Sequence, residues 1–352
     1  MKRERTVSPP LSKQVQLRSI NKIQKDEKEY DGDFGRIIST GSTLLDLAIS
    51  GGRVHGGGVP GGILIEIFGP SGSGKTVFLS EMGGAVQRQG GEIMFHDPEA
   101  RIDRQFAKMF GMSMEDKNYS QPDKVPEVFK AVRAWEPEGK GVIHGIFADS
   151  LAALSTDLEM NNEGGDKMGT RRAKEFSEEL RKTCRILKQK NYLMACSNQV
   201  RVNIDAGAYG QKYTTPGGES IGFYASLRLR TSSPEKLKRK IKVKGKEIFR
   251  VYGIKTQVEV YKSSIWKPYR SATVTILFDY GIDDIRDNLQ FIKEYYQSTV
   301  YTVKGRSISN SVESAIAYIE ENKLEQALKE EVINAWEDVE SRFKIERKPK
   351  IR

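Results

Sequence analysis

Cysteine and histidine are scarce in this sequence, and their scarcity limits the chemistry available to the protein. There are two cysteines, Cys184 and Cys196, and three histidines, His55, His96 and His144. Neither a CxxC pair nor a metal-ligand spacing occurs among them, so the sequence supports no disulfide framework and no zinc site. We therefore expect two buried, reduced thiols and three structural histidines.

Long apolar runs are also missing. No stretch approaches the roughly 18 uninterrupted apolar residues that a membrane span needs. The N-terminal sequence MKRERTVSPPLSKQ contains no apolar signal-peptide run either. We expect a cytoplasmic protein with no membrane partner.

The composition is that of a packed globular protein. Charged residues make up 30% of the 352 residues and hydrophobic residues 38%. The 57 Lys and Arg exceed the 47 Asp and Glu, which gives a formal charge of +10. A positive excess suits a polyanionic partner, because Lys and Arg neutralise phosphates and release counterions. Many basic proteins bind no nucleic acid, so the charge alone does not identify the partner.

Three stretches of different character follow one another along the chain. Residues 1–34 are polar and lack apolar periodicity, as in tails that are disordered or ordered by a neighbour. Residues 35–283 alternate β-rich apolar runs with amphipathic helices, which predicts an α/β domain with a largely parallel central sheet. Residues 284–352 show helical spacing and end in KIERKPKIR, which predicts a small helical C-terminal domain with a basic tail. The predicted strands of the central part are 63–68, 92–96, 145–149, 192–196, 224–230 and 257–262.

A phosphate-binding loop follows the apolar strand ILIEIF. Glycines allow such a loop to turn tightly and to direct its backbone N–H groups at phosphate oxygens, ahead of a helix N-terminus. The lysine of the motif reaches the β- and γ-phosphates, and the hydroxyl that follows it ligates Mg²⁺. ATP and Mg²⁺ are therefore the expected ligands. The residues that match GxxxxGK[ST] are Gly69, Pro70, Ser71, Gly72, Ser73, Gly74, Lys75 and Thr76.

Two further predicted strand ends carry carboxylates. Asp149 closes the apolar run GIFAD, where the Asp of a Walker B strand stands beside the magnesium ion. Glu99 lies in FHDPEA, in a position to orient and deprotonate an attacking water. The simpler alternative is that Asp97 and Glu99 only cap the next helix near Arg101.

Three motifs in this order, GPSGSGKT, FHDPEARID and GIFADS, resemble the nucleotide site of the RecA family of homologous-recombination proteins, of the bacterial and phage type. The resemblance begins upstream at residues 38–46 and 58–62 and continues downstream through Tyr269 to Phe278. It thus covers the whole central part of the chain. It implies a P-loop, RecA-like ATPase core.

The resemblance also implies roles for individual residues. Glu99 would activate the hydrolytic water, and Asp103 and Phe106 would contact the adenine. Gln199, in SNQVR, would touch the γ-phosphate at the end of a strand that leads into a DNA-facing loop, which would couple the ATP state to DNA affinity. Lys262 would reach across the subunit interface to the neighbour's γ-phosphate.

Two long segments resemble the DNA-binding loops of the family, residues 161–169 and 200–218. Loops longer than about 12–15 residues in a compact domain are usually functional or disordered, and a generic surface loop is the simpler alternative. Glycines allow backbone approach to phosphates, and basic and aromatic side chains supply charge and stacking. The DNA contacts implied are Met168, Gly169, Arg171, Arg172, Arg201, Tyr209, Gly210, Lys212, Gly217 and Gly218.

The sequence departs from the family pattern in places. Ser264 stands where the family has a second lysine across the interface, and the chain ends in a basic run instead of an acidic tail. Residues 1–34, the expected region of polymerisation, show little of the family's sequence. Residues 236–246 form a hairpin-like segment that alternates basic and apolar residues around a Gly, which predicts either a lysine-protected edge strand or a second surface for duplex DNA.

These observations predict an ATP-dependent recombinase. It would form a head-to-tail helical filament on single-stranded DNA, pair it with homologous double-stranded DNA, and work with a single-strand-binding protein or loader. The alternatives are a RecA-like ring motor, such as a helicase or repair ATPase, and an ATP-binding regulator without turnover. The two loops favour the recombinase over the motor, and the complete set of nucleotide-site residues argues against the regulator.

Overall fold

The chain divides into two units, Met1–Arg36 and Ile37–Arg352. The computed structural model describes residues 35–156, 168–202, 213–214, 219–345 and 347, so almost every described residue belongs to the second unit. The expected division of this unit at residue 284 stays a prediction.

The described residues form nine helices and sixteen strands. The strands are β1 (Ile37–Ile38), β2 (Val59–Pro60), β3 (Ile63–Gly69), β4 (Ile93–His96), β5 (Tyr119–Ser120), β6 (His144–Ala148), β7 (Tyr192–Gln199), β8 (Arg201–Val202), β9 (Tyr213–Thr214), β10 (Leu227–Thr231), β11 (Glu235–Val243), β12 (Lys246–Ser263), β13 (Ser271–Leu277), β14 (Gly281–Ile282), β15 (Tyr301–Val303) and β16 (Arg306–Ser309). The helices are α1 (Thr43–Ser50), α2 (Lys75–Arg88), α3 (Arg104–Met109), α4 (Val125–Ala134), α5 (Met168–Lys190), α6 (Glu219–Tyr224), α7 (Asp284–Tyr295), α8 (Val312–Glu321) and α9 (Glu325–Arg342).

One large sheet organises the second unit. Nine of its ten strands lie in the order β14-β13-β12-β10-β3-β7-β6-β4-β5, and the tenth, β11, pairs with β12 beside this path. The six strands from β10 to β5 are parallel, and β11, β12, β13 and β14 are joined by antiparallel pairings. The largely parallel central sheet expected from the sequence is confirmed.

The parallel strands are buried because helices cover them, as is usual for parallel sheets. Strand β3 has no exposed residue, and the side chains of α4 and α5 pack against the sheet. Phe129 of α4 meets Phe176 of α5 edge to face, with 6.2 Å between ring centroids. On α5, Phe176, Leu180 and Leu187 recur at helical spacing and are buried, which places the apolar stripe of that helix on the core.

A second apolar cluster joins α1 to the C-terminal segment. Leu47 of α1 packs with Leu289 of α7, Ile319 of α8 and Val332 of α9. The helical C-terminal region was expected, but the hairpin β15–β16 within it was not. Val339, at helical spacing with the apolar residues of α9, is 36% exposed and lies outside this cluster.

One predicted strand begins too early. The expected strand 224–230 starts at Leu227, because Tyr224 is the last residue of α6 and the Ala225 N–H still bonds to the Ile221 carbonyl at 2.9 Å. Ile221 and Ala225 are buried in the first apolar cluster, so tertiary packing favours the helix. Predicted strand 257–262 is the inner part of the much longer β12.

Among the helices that the structure describes, none combines the length and the apolar character that crossing a bilayer requires. Both cysteines are free, Cys196 fully buried and Cys184 partly so. Burial raises the pKa of the Cys184 thiol to about 11 and that of Cys196 well above its usual value, so both stay protonated at neutral pH.

Candidate nucleotide-binding site

The predicted nucleotide-site residues follow four neighbouring parallel strands. The phosphate loop follows β3, Glu99 follows β4, Asp149 follows β6, and Gln199 is the last residue of β7. Parallel strands present their carboxyl ends at one edge of a sheet, which is where ligands of open α/β sheets bind. The strand order β3-β7-β6-β4 therefore brings segments distant in sequence to a common edge.

The phosphate loop is anchored at its ends and open in the middle. The Ser73 hydroxyl donates to the Pro70 carbonyl at 2.8 Å and hydrogen-bonds the Thr231 hydroxyl of β10 at 2.8 Å. Gly74 has φ +90°, and a Cβ there would lie 2.3 Å from Ile276 Cδ1, so only glycine fits. At Gly72 a Cβ would meet nothing within 4 Å. The loop is thus unobstructed at Gly72.

Lys75 begins α2 and lies across the loop. Its ammonium donates to the carbonyls of Gly69 at 3.1 Å and Pro70 at 2.7 Å. Burial lowers the pKa of Lys75, while the nearby carboxylates of Asp149 and Glu99 act in the opposite direction. Two neutral carbonyl oxygens thus hold the ammonium at the loop, and charged phosphate oxygens would bind it more strongly.

Thr76 and Asp149 supply two hard oxygen ligands. The Thr76 hydroxyl donates to Asp149 Oδ2 at 2.5 Å, and the Ser197 hydroxyl donates to Asp149 Oδ1. Burial raises the pKa of Asp149, and the hydrogen bonds from Ser197 and Thr76 partly oppose that shift. A hydroxyl and a carboxylate side by side at a phosphate loop are the oxygen donors that Mg²⁺ prefers, so the residues present fit this ion.

Glu99 sits within a hydrogen-bonded group of side chains. Its Oε1 accepts a hydrogen bond from the Ser150 hydroxyl at 2.9 Å and lies 3.4 Å from the Gln199 amide nitrogen. Its Oε2 pairs with Arg101 at 2.6 Å. Glu99 and Gln199 are a hundred positions apart in the sequence, and the fold brings them into contact at the edge of the sheet where these parallel strands end.

The helix-capping alternative describes neither Asp97 nor Glu99, because the N-cap of the next helix, α3, is Asp103. Asp97 Oδ2 accepts the Ile102 N–H at 2.9 Å and the Tyr119 hydroxyl at 2.9 Å, and it is 1% exposed. It orders the turn that carries Glu99. The Glu99 carboxylate itself bonds side chains at the ends of β6 and β7.

The two residues implied to hold the adenine lie at the start of α3. Asp103 is the N-cap of that helix, because its carboxylate accepts the Gln105 N–H at 2.8 Å. Phe106 stands one turn on, with its ring edge to face with that of Phe110 at 4.4 Å between centroids. Both residues are within one turn, and Asp103 is exposed to solvent.

Lys262 contacts its own chain in this structure. Its ammonium donates to the carbonyls of Gly222 and Phe223, both at 2.9 Å, at the end of α6. Burial lowers the pKa of Lys262, and the neighbouring Arg228 lowers it further. Lys262 therefore connects β12 to the helix that directly follows the second predicted DNA loop.

Half of the ten predicted DNA contacts fall outside the described residues. Tyr209, Gly210, Lys212, Gly217 and Gly218 lie there. Met168, Gly169 and Arg171 belong to the first turn of α5, and Arg201 belongs to β8, which pairs with β9. The Arg172 guanidinium donates to the Leu154 carbonyl, which connects α5 to the segment after β6.

Sequence reasoning missed a buried polar group beneath the site. Glu66 of β3 is fully buried, pairs with Arg228 of β10 at 2.6 Å, and accepts a hydrogen bond from the Asn198 amide at 2.8 Å. The Arg228 guanidinium also lies 4.5 Å from the centroid of the Phe68 ring. Asn198 directly precedes Gln199, so this group links the end of β7 to β3 and β10. A Glu inside the apolar run ILIEIF was the only sequence signal for it.

The comparisons with known proteins agree with this geometry. The profile of the RecA N-terminal domain family matches residues 11–283. The chain is 35% identical over 251 residues to "Protein RecA" of Thermus thermophilus, which covers 71% of this chain and 69% of that protein. It is 33% identical over 289 residues to "Protein RecA" of Macrococcus caseolyticus (81% and 77% covered) and 32% identical over 305 residues to that of Treponema denticola (84% and 70% covered).

The family profile matches most of the chain. The structure also places the phosphate loop, the Thr76–Asp149 pair and the Glu99–Gln199 pair at one edge of a largely parallel sheet. By sequence and by fold, the chain belongs to the RecA family.

Proposed function

We propose that this protein is a DNA-dependent ATPase and recombinase that forms a filament on single-stranded DNA and catalyses homologous pairing and strand exchange in recombination and repair. The observation that carries the proposal is the contact between Glu99 and Gln199. One of these residues is suited to activate water, and the other ends the strand that runs into the second DNA-facing segment.

In this proposal the nucleotide binds over the phosphate loop between β3 and α2. Gly69, Ser71, Gly72, Ser73 and Gly74 surround the phosphates, and Lys75 exchanges its carbonyl ligands for β- and γ-phosphate oxygens. Thr76 and Asp149 hold Mg²⁺, which when bound neutralises phosphate charge. The adenine lies against Asp103 and Phe106.

Glu99 acts as the general base toward the attacking water. Ser150 and Gln199 share its Oε1, and Arg101 holds its Oε2, so the carboxylate has a defined orientation. When the Gln199 amide turns toward the γ-phosphate, it exchanges its hydrogen bond to Glu99 for one to the phosphate. This exchange gives the end of β7, and through it the loop 200–218, two states that depend on the nucleotide.

DNA binding is assigned to the two segments 161–169 and 200–218 and to the residues that flank them. Arg171, Arg172, Arg201 and Lys212 would neutralise phosphates, and Tyr209 would stack on bases. Gly169, Gly210, Gly217 and Gly218 would allow close approach of the backbone, and Met168 would serve as an apolar wedge between bases.

The filament follows from a head-to-tail interface that does not close into a ring. Lys262 would then leave the carbonyls of α6 and reach the neighbour's γ-phosphate, with Ser264 beside it in place of a second lysine. Residues 1–34 would contribute to polymerisation, residues 35–283 would form the ATPase core, and residues 284–352 would form a separate C-terminal domain. A single-strand-binding protein or loader would assist assembly.

A ring-forming motor is the second candidate, since it shares the same core sheet. A hydrolysis assay separates the two. We expect ATP hydrolysis by the purified chain to be strongly stimulated by single-stranded DNA, and Glu99→Gln to abolish it while retaining ATP binding. Glu115→Gln, which removes an exposed carboxylate that pairs with Lys117, is the matched control and retains stimulation.

Hydrolysis that is indifferent to DNA in the unaltered chain would contradict the proposed coupling and favour either the motor or the ATP-binding regulator. A strand-exchange assay with homologous and heterologous duplexes then tests the pairing step, and equal products from both duplexes would overturn it.

A further inference from the structure

The hairpin of β11 and β12 extends beyond the sheet. Strand β13 pairs with β12 only as far out as Gly253, so from Val251 outward β12 pairs with β11 alone. The turn residues Lys244 and Gly245 have φ +46° and +82°, as expected of a two-residue type I′ hairpin. We call residues 238–251 the hairpin arm. With six residues on each strand it is about 20 Å long.

Positive charge is concentrated in this part of the chain. Residues 235–251 contain eight Lys and Arg and two Glu, so they hold +6 of the chain's +10. Lys240 pairs with Glu247 at 2.6 Å. Within the described part of the chain, no carboxylate forms an ion pair with the other seven basic residues. These are Lys236, Lys238, Arg239, Lys242, Lys244, Lys246 and Arg250.

Exposed apolar side chains alternate with these charges. Phe249 is 57% exposed, Ile241 47%, Val243 42% and Val251 38%. Directly paired residues of an antiparallel hairpin share a face, so Lys238 faces with Val251 and Lys240 with Phe249. The Lys240 ammonium lies 5.7 Å from the centroid of the Phe249 ring.

This pattern differs from that of a protected edge strand. Charged side chains alone prevent two sheet edges from pairing with each other. Protection of an edge strand therefore does not explain the exposed aromatic ring between the lysines. A membrane surface would require one continuous apolar face, whereas both faces of the hairpin arm carry basic and apolar residues. Basic residues interleaved with apolar side chains suit duplex DNA, because Lys and Arg neutralise phosphates and a side chain such as Phe can contact thymine methyl groups in the major groove.

The dimensions of the hairpin arm fit a DNA duplex. Alternate residues of a strand are about 6.6 Å apart, and every second phosphate of a DNA strand is about 6.8 Å apart along the helix axis. A two-stranded ribbon also fits the major groove, which is about 12 Å wide. We propose that the hairpin arm binds the backbone of duplex DNA, separately from the loops that hold the single strand. The inference rests on the proposed function, which requires a duplex partner.

The test compares two variants of equal charge in the full chain. Lys238→Gln, Lys242→Gln and Lys246→Gln are combined in the first, which leaves the Lys240–Glu247 pair intact. The matched control combines Lys130→Gln, Lys140→Gln and Lys188→Gln, three exposed lysines outside the hairpin. Fluorescence anisotropy of a labelled 30-bp duplex measures affinity over a range of salt concentrations, and circular dichroism melts verify folding.

We expect the hairpin variant to bind the duplex at least tenfold more weakly. The plot of the logarithm of the association constant against the logarithm of the salt concentration should become less steep by about 2.7, because each of the three lost phosphate contacts accounts for about 0.9. The control keeps the slope of the unaltered chain. Phe249→Ala, which keeps every charge, weakens binding without changing the slope. ATP hydrolysis stimulated by single-stranded DNA is unchanged in all variants.

Three results would overturn the inference. The first is equal loss of duplex affinity in the hairpin variant and the control. The second is loss of single-strand stimulation together with duplex binding, which would make the arm part of the first DNA site. The third is unchanged duplex affinity with lost binding to anionic vesicles. Failure of strand exchange in the unaltered chain would contradict the proposed function and leave this binding test valid.

Discussion

The hydroxyl of Thr76 and the carboxylate of Asp149 are in direct contact, with 2.5 Å between Oγ1 and Oδ2. Thr76 follows the lysine of the phosphate loop and Asp149 follows β6, so the contact joins two segments separated by 73 positions. Both oxygens suit Mg²⁺, and the contact therefore marks where the ion would bind.

Replacing Asp149 by Asn tests this placement. The substitution keeps the shape and removes the negative charge that a divalent cation needs, so we expect hydrolysis to fall at least a hundredfold, which corresponds to roughly 3 kcal/mol. The magnesium concentration for half-maximal activity should rise. Ser197→Ala, which removes only a hydrogen bond to the carboxylate, is the control and loses far less activity. A variant with unchanged magnesium dependence would refute the assignment.

Gln199→Asn tests the link between nucleotide and DNA. The side chain is one methylene shorter and cannot span the present 3.4 Å contact with Glu99. We expect hydrolysis without DNA to stay within about threefold of normal, because Glu99 and Ser150 remain, and stimulation by single-stranded DNA to be lost. Rates of ATP hydrolysis measured in parallel with and without single-stranded DNA test this expectation. If both rates fell by the same factor, Gln199 would act in hydrolysis and not in coupling.

Removing Arg228 should destabilise the sheet. Arg228→Met leaves the fully buried Glu66 carboxylate without its ion partner, which costs about 3–5 kcal/mol in comparable sites. Adding Glu66→Gln removes the uncompensated charge, so the double variant should recover much of the loss. Urea unfolding gives the free energies. A double variant whose loss equals the sum of the single losses would show that the two side chains do not interact.

Glu81 of α2 should make stability depend on pH. Burial raises the pKa of Glu81 to about 7 in the fold, although the Ile282 N–H and Arg88 act in the opposite direction. The folded pKa lies above the unfolded value of 4.5, so the protonated carboxyl favours the folded state. Its contribution to the free energy of unfolding is complete below pH 4.5 and is lost as the pH rises through 7. Glu81→Gln cannot ionise. Its stability should equal that of the unaltered chain near pH 4.5 and exceed it above pH 8 by about 3 kcal/mol at most.

Urea unfolding at several pH values measures this difference, and Glu325→Gln on the exposed face of α9 is the control. If Glu81→Gln were equally stabilising at pH 5 and pH 8.5, ionisation of Glu81 would not be the cause.

Much of this molecule was determined by local sequence. The phosphate loop is a continuous motif, because its glycines and its lysine act within eight neighbouring residues. The hairpin of β11 and β12 was indicated by alternation around Gly245, and the parallel strands by apolar runs between amphipathic segments. The helices of the C-terminal region followed from spacing alone. In each case the signal and the structure lie in the same short stretch.

Only the tertiary structure decided which distant residues meet. The order β3-β7-β6-β4 places Glu99 beside Ser150 and Gln199, and the order β10-β3-β7 places Arg228 beside Glu66 and Asn198. The order of the strands depends on how whole helices pack against the sheet, so it cannot be read from any short stretch of sequence. The end of α6 at Tyr224 has the same origin, since burial of Ile221 and Ala225 overrides an alternating pattern that looked like a strand. The sequence determined the chemical groups, and the packing of the sheet determined which of them act together.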